Sequence, residues 1–365
     1  MQTSFKKINF LIITFYFTLS GFTGLIGEWK IINLTENKDN DFLPAIDSGG
    51  NMAWRTLRSK ESIITITAKD NNKKEYPAPL SPDSIEKLKS KAVSYGANVP
   101  SCAAFRPAIN VNRGAWAFFD GEDYEIQYLA DGKIKIITEN KTEDAFPVFW
   151  NDKIIWCAWD GNDYEIMMYD NGKTSALTKN EENDYFPACS EKLLIWQQWD
   201  EKKTTLNLVQ YENGTISFLD RTKLVAPLIG KDYLKNLQHM ANFVLDINTV
   251  EPAVYDQDIV FIWKDMDVYR VAFFDNKAGI SARINTDNSG RQYLAKHLAM
   301  FNKKIVFSYW NSAVEEYDLF FWKQGMNTAE KIIRQGHDSY PALNDTILLW
   351  QGFDGADWEI FKSGL

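Results

Sequence analysis

The stretch Trp156–Thr178, WCAWDGNDYEIMMYDNGKTSALT, decides the fold, because the chain repeats it with variations. Ile154, Trp156 and Ala158 alternate with a period of two and run into Asp160-Gly161-Asn162-Asp163. A second run, Tyr164 to Tyr169, meets Asp170-Asn171-Gly172, and a third, Lys173 to Thr178, follows. Alternating runs bounded by Asp-Gly and Asn-Gly predict β-hairpins, because Gly and Asn tolerate the positive φ of tight turns. The fragment therefore predicts three antiparallel strands in a meander. The same pattern stands at Trp116–Ile126 and again at Trp350–Ile360.

Outward from this stretch, each unit is anchored by a Pro ahead of the Trp-bearing strand. Pro107 to Trp116, Pro147 to Trp156, Pro187 to Trp196 and Pro341 to Trp350 are all nine residues apart. Pro44 precedes Trp54 by ten, with Gly49-Gly50 supplying the extra residue, and Pro252 precedes Phe261 by nine. Near Leu298 the Pro is missing, but Lys304–Asn311 overlays Lys192–Asp200. Seven units of this size imply a closed radial array of four-stranded blades, a seven-bladed β-propeller. In the fourth unit the strands are expected at about Ala188–Ser190, Leu193–Trp199, Thr205–Tyr211 and Thr215–Leu219. The last unit, ending Trp358–Leu365, lacks an outer strand, while Glu28–Thr35 matches Ser175–Thr178. Residues 28–35 are thus expected to complete the last blade by pairing with Asp357–Lys362.

Two stretches break the period, at about 81–104 and 222–250. The first opens Ser81-Pro82-Asp83, a helix start, and runs amphipathically to about Gly96. The second carries apolar residues at Leu234, Leu237 and Met240, the spacing of a second short helix.

Lys6-Lys7, an apolar run from Ile8 to Leu19 and small residues at Ser20–Gly24 have the layout of a secretory signal. Residues 1–27 are read as that leader, cut after Thr23 or Gly27, with 28–365 as the propeller. An uncleaved membrane anchor is the alternative, although the run is short of the ~20 residues that span a bilayer. Losing Lys6 and Lys7 takes the net charge from −9 to about −11. An acidic surface disfavours nucleic acid and leaves a protein, a glycan, a cationic partner or a metal ion open. A monomer in the periplasm or outside the cell, with no transmembrane segment after cleavage, is the expectation. Cys102, Cys157 and Cys189 show no metal spacing and are expected as free thiols, one disulfide being the alternative.

The repeat Trp…Asp-Gly-Asn-Asp-Tyr-Glu-Ile…Leu-Thr…Asn-Asp…Pro resembles the WD40-like repeats of TolB-type bacterial propellers. The resemblance covers nearly all of residues 28–365. It departs where the family's Ser-Pro-Asp-Gly-Lys turn is replaced by Ser190-Glu191-Lys192, Asn151-Asp152-Lys153 and Asn344-Asp345-Thr346. The amino-terminal domain of TolB has no counterpart, so a role in the Tol-Pal machinery is not implied. What the resemblance implies is a secreted or periplasmic propeller that binds something.

Turns between the second and third strands, crossovers between blades and both insertions should share one face, where binding sites gather in repeat proteins. On it fall the acidic turns Asp120, Glu122, Asp123; Asp160, Asp163; and Asp354, Asp357. Hard cations take several carboxylate oxygens at once, so calcium is conceivable. Asp residues capping their own hairpins explain the pattern without a cofactor, and none is expected. The residue before each anchoring Pro is apolar in three units (Leu43, Phe146, Phe186) and becomes Arg106, Glu251, His297 and Tyr340 in the others. His337 lies in the same crossover as Tyr340, and His239 in the second insertion. Arg106, Glu251, His297, His337 and Tyr340 are therefore the candidate ligand-binding residues. A Tyr or His base beside an Arg is also what a polyuronate lyase needs, so a lyase-like carbohydrate-active enzyme is the alternative to a binding protein. A structural envelope protein comes third. The Trp series (Trp54, Trp116, Trp156, Trp196, Trp350) is assigned to blade packing.

Overall fold

The structure is a computed structural model that describes residues 29–70, 72–89, 102–200, 205–220, 224, 228, 252–265, 268–286 and 295–365. The expected leader, His239, Glu251 and nearly all of the second insertion lie outside them. Seven four-stranded antiparallel sheets form the seven blades of a propeller. Their innermost strands are Asn40–Ile46, Ala108–Asn110, Asp144–Trp150, Asn183–Cys189, Ala253–Tyr255, Ala295–Phe301 and Asp338–Leu343; these define blades 1 to 7. Strand order follows chain order, with one exception. The outer strand of blade 7 is Ile32–Asn33, which pairs with Trp358–Gly364 in the register Ile32↔Lys362 and Asn33↔Phe361. The ladder is shorter than residues 28–35. The remainder of that segment is held by Leu34 N donating to Ile360 O (2.7 Å) and Ile360 N donating to Thr35 Oγ1 (2.9 Å).

The core lies between neighbouring sheets, since each sheet has apolar residues on both faces. Trp116, Trp156, Trp196 and Trp350 are 0% exposed, so this series is packing, as its fixed strand position indicates. Trp116, for example, fills the space against Ile64 and Ala78 of blade 1.

A buried indole N–H needs an acceptor, and an Asp near the start of the innermost strand supplies it. Asp144, Asp184 and Asp338 accept from Trp156, Trp196 and Trp350 Nε1 at 2.6, 2.7 and 2.8 Å. The second oxygen of Asp144 and of Asp184 accepts from a crossover amide, Asn140 Nδ2 or Asn180 Nδ2, at 2.6 Å each. Burial nonetheless dominates and pushes all three carboxyls up to about 7. Between the ordinary Asp value of about 4 and pH 7, these three carboxyls therefore hold more protons folded than unfolded, and their contribution to stability rises as pH falls through this window, three groups against the one buried imidazole of His297 that acts in the opposite sense. Carboxyls whose values are held low by turn amides, such as Asp120 and Asp354, act only below about pH 4. We expect the melting temperature in EDTA to increase from pH 8 to pH 5.5, and a flat or falling profile would contradict this balance.

The first insertion begins as expected. Ser81 Oγ caps the helix Pro82–Lys89 by accepting from Ser84 N (3.3 Å), and the segment returns through a 3-10 turn, Cys102–Phe105. None of the three cysteines forms a disulfide, and burial raises the Cys157 and Cys189 thiols.

Candidate ligand-binding site on the propeller axis

The residue before the anchoring Pro has a structural role that the sequence alone does not suggest. In blades 1, 3, 4, 6 and 7 the innermost strand runs through the Pro, or through Leu298 in blade 6, by a bulge, with register shifts at Phe42/Ala45, Ala145/Val148, Tyr185/Ala188, Lys296/Ala299 and Ser339/Ala342. The strand therefore begins ahead of the Pro, not after it as expected in unit four. Leu43, Phe146, Phe186, His297 and Tyr340 sit at these bulges with φ between 51° and 58°. A left-handed side-chain-bearing residue costs roughly 1–2 kcal/mol, so the surrounding packing must hold each one in place.

Neighbouring bulge residues meet. The rings of Phe146 and Phe186 are 4.7 Å apart, and those of His297 and Tyr340 are 3.8 Å apart. Arg106 follows the 3-10 turn of the insertion, with Cζ 5.6 Å from the Tyr340 ring centroid and Nη2 donating to Pro341 O at 3.4 Å. His297 Nδ1 lies 3.4 Å from Ser308 Oγ. Burial first, then the charges of Lys296 and Arg106, hold the imidazole well below the usual histidine range. His337 joins through Tyr317, whose ring is 5.4 Å from His297 and 5.1 Å from His337.

The structure thus brings Arg106, His297 and Tyr340 together and places His337 one ring further out, while Glu251 lies outside the described residues. His297 and His337 are only 7% and 4% exposed, packed among aromatic rings and not on open loops. Of the four, Arg106 alone lines the cavity on the axis, which has a volume of about 340 Å³. The walls are Pro44, Pro107, Pro147, Pro187, Pro252 and Pro341 with Leu298 in the seventh place, followed by the apolar residues after each. These residues come after the bulges in their strands. The cavity therefore extends from the bulge ring, where Ala103 of the first insertion and Arg106 reach it, toward the turns between first and second strands. Each innermost strand is the terminal strand of its sheet, so the cavity also borders sheet edges whose N–H and C=O groups can bond a guest.

The acidic turns cap themselves. Asp120 Oδ1 accepts from Glu122 N (2.8 Å) and Asp123 N (3.1 Å), Asp160 Oδ1 from Asn162 N (2.8 Å) and Asp163 N (3.2 Å), and Asp354 Oδ1 from Ala356 N (2.8 Å) and Asp357 N (3.1 Å).

No protein-family model and no curated protein matches the sequence. Solved structures do. A catalytically inactive virginiamycin B lyase from Staphylococcus aureus, crystallised with quinupristin, aligns at TM-score 0.57 and 14% identity over 93% of this chain and 100% of its own. YCF48 bound to the D1 peptide aligns at TM-score 0.54 and 10% identity over 93% and 96%. TolB from Acinetobacter baumannii aligns at TM-score 0.47 and 12% identity over 84% and 76%. The first two likenesses establish the fold, a β-propeller.

Proposed function

We propose that this protein is a binding propeller whose axial cavity receives a small ligand or the end of a partner's chain, with an apolar body against the proline ring and an anionic group at Arg106. The observation that carries it is a cavity of about 340 Å³ walled by apolar side chains and exposed backbone, with a single cationic side chain in its described wall. Apolar side chains with a few placed polar groups are what ligand sites use to hold and orient a guest. The peptide held by YCF48 supports binding as a use of this fold. The leader pattern at Lys6–Leu19 supports a periplasmic or extracellular location. No helix among the described residues is long and apolar enough to cross a membrane. The lyase-like alternative draws support from virginiamycin B lyase, but it needs a base within reach of substrate. His297 and Tyr340 pack behind Arg106 and do not line the cavity, so binding is favoured.

Anilinonaphthalene sulfonate, an apolar anion, is a suitable probe. Saturable fluorescence enhancement is expected, weakened about tenfold or more in Arg106→Ala by loss of a charge-assisted contact, and abolished in Ala188→Trp, which fills the cavity without touching Arg106. Failure of the dye to saturate, or equal binding by both variants, would overturn the site.

A further inference from the structure

Sequence spacing alone separates the acidic turns from the strands that follow them, but the fold does not. In each of three blades the two turn aspartates meet a glutamate from the third strand: Asp120, Asp123 and Glu125; Asp160, Asp163 and Glu165; Asp354, Asp357 and Glu359. One carboxylate oxygen from each residue lies within 4.8 Å of the others in its trio. Two oxygens that share one calcium ion at roughly 2.4 Å each can be no further apart than about 4.8 Å.

Proximity of acids is common on surfaces, and these trios would mean little if they were solvated. In two of the trios the inner members are not: Glu125, Asp163 and Glu165 are 2%, 2% and 3% exposed, while the first Asp of each turn stays open to solvent. Glu125 Oε2, Asp163 Oδ2 and Glu165 Oε2 are buried and accept no hydrogen bond among the described residues, as do both carboxylate oxygens of Asp123. Burying a carboxylate oxygen with no donor and two like charges beside it is costly. Natural structures explain such groups by a partner that compensates them.

We infer that the turns at Asp120 and Asp160 are divalent-cation sites of calcium type, each built from the Asp, Asp and Glu of an Asp-Gly-x-Asp-Tyr-Glu sequence; the Asp354 turn shares the spacing, but both oxygens of its Glu359 are already committed, to Asn37 N and the Thr35 hydroxyl. Three carboxylates with no nitrogen or sulfur donor select a hard cation, with water completing the six to eight oxygens. The first Asp has one oxygen committed to the turn amides, so turn capping and cation binding use different atoms of one carboxylate. The glutamate's other oxygen is likewise committed, accepting from a crossover N–H: Asn140 to Glu125 (2.8 Å) and Asn180 to Glu165 (2.7 Å). Each site is thereby fixed to the crossover that leads into the next blade. Rim sites completed by water suggest affinities of roughly 10⁻⁴–10⁻³ M, the range of extracellular calcium modules.

The test uses the full chain after EDTA treatment and dialysis. Terbium should bind and luminesce by transfer from Tyr124 and Tyr164, which adjoin the two trios in sequence, and calcium should displace it. Millimolar calcium should raise the melting temperature by about 5 °C or more, since an ion that binds only the folded state stabilises it. Glu165→Gln keeps the Asn180 contact but removes a buried like charge. It should melt no lower than wild type in EDTA, below wild type in calcium, and bind one terbium fewer. Absence of sensitised luminescence, an unchanged melting curve at 10 mM calcium, or the same order of stabilities with and without calcium would each overturn the inference.

Discussion

Removing residues 29–35 is expected to lower the melting temperature by about 10 °C or more and to make the protein self-associate. Trp29 packs edge-on against Phe321 at 5.4 Å, and Ile31 and Leu34 fill the sides of blade 7. Loss of these three partly buried side chains alone forfeits roughly 4 kcal/mol. The truncation also leaves Trp358–Gly364 as an open sheet edge, and Glu359 loses the Thr35 hydroxyl that donates to it. In a chain of this size each kcal/mol lowers the midpoint by roughly 2 °C. Calorimetry with light scattering on the truncated protein decides the matter. An unchanged midpoint would mean that the first strand does not close the ring.

The second large effect is expected from Arg55→Met, a loss of about 4 kcal/mol, or about 8 °C. Arg55 is fully buried and has no carboxylate partner among the described residues. Its Nε donates to Phe105 O (3.1 Å), Nη1 to Ser62 Oγ and Ala78 O (2.8 Å each) and Nη2 to Ala117 O (2.8 Å). One guanidinium thus ties blade 1 to blade 2 and fixes the turn that delivers Arg106. Methionine keeps the packing of the stem and leaves three buried carbonyls without their donors. Because the Phe105 turn loosens, the dye affinity at Arg106 should fall as well. A midpoint within 2 °C of wild type would show that these carbonyls find other donors and that the guanidinium is dispensable.

Blade number and closure were legible in the sequence because they rest on local signals. A Trp at a fixed distance from a Pro, and Asp-Gly or Asn-Gly between alternating runs, are enough to place strands and turns. What escaped detection depends on contacts between distant segments. Arg55 occupies the position after the blade's Trp, where other blades have Ala117, Cys157 or Gln197. Its carbonyl partners come from three separate places, Phe105 at the end of the insertion, Ala78 after the outer strand of its own blade and Ala117 in the next blade. Glu125, Glu165 and Glu359 look like ordinary polar positions in an alternating strand, but the bend of the hairpin carries them back over the turn. The bulges were hidden by the rule that Pro interrupts a strand. That rule holds for a straight ladder but fails where the preceding residue turns left-handed. Arg106, His297 and Tyr340 were identified from their place in the repeat. Their burial was not, since it follows from rings contributed by neighbouring blades.

Blades 2 and 5 begin their innermost strand only after the Pro, at Ala108 and Ala253. These are also the two blades that follow the insertions. In both, the three remaining strands keep full length and register. The upper half of an inner strand is therefore a dispensable part of a blade, and it is the part that gave way when extra chain was accommodated. The molecule has in effect two sockets on one rim where sequence can be lengthened or exchanged without disturbing the lattice of blades around it. Variation among proteins of this design should concentrate at those sockets, and loops with new specificities could be grafted there.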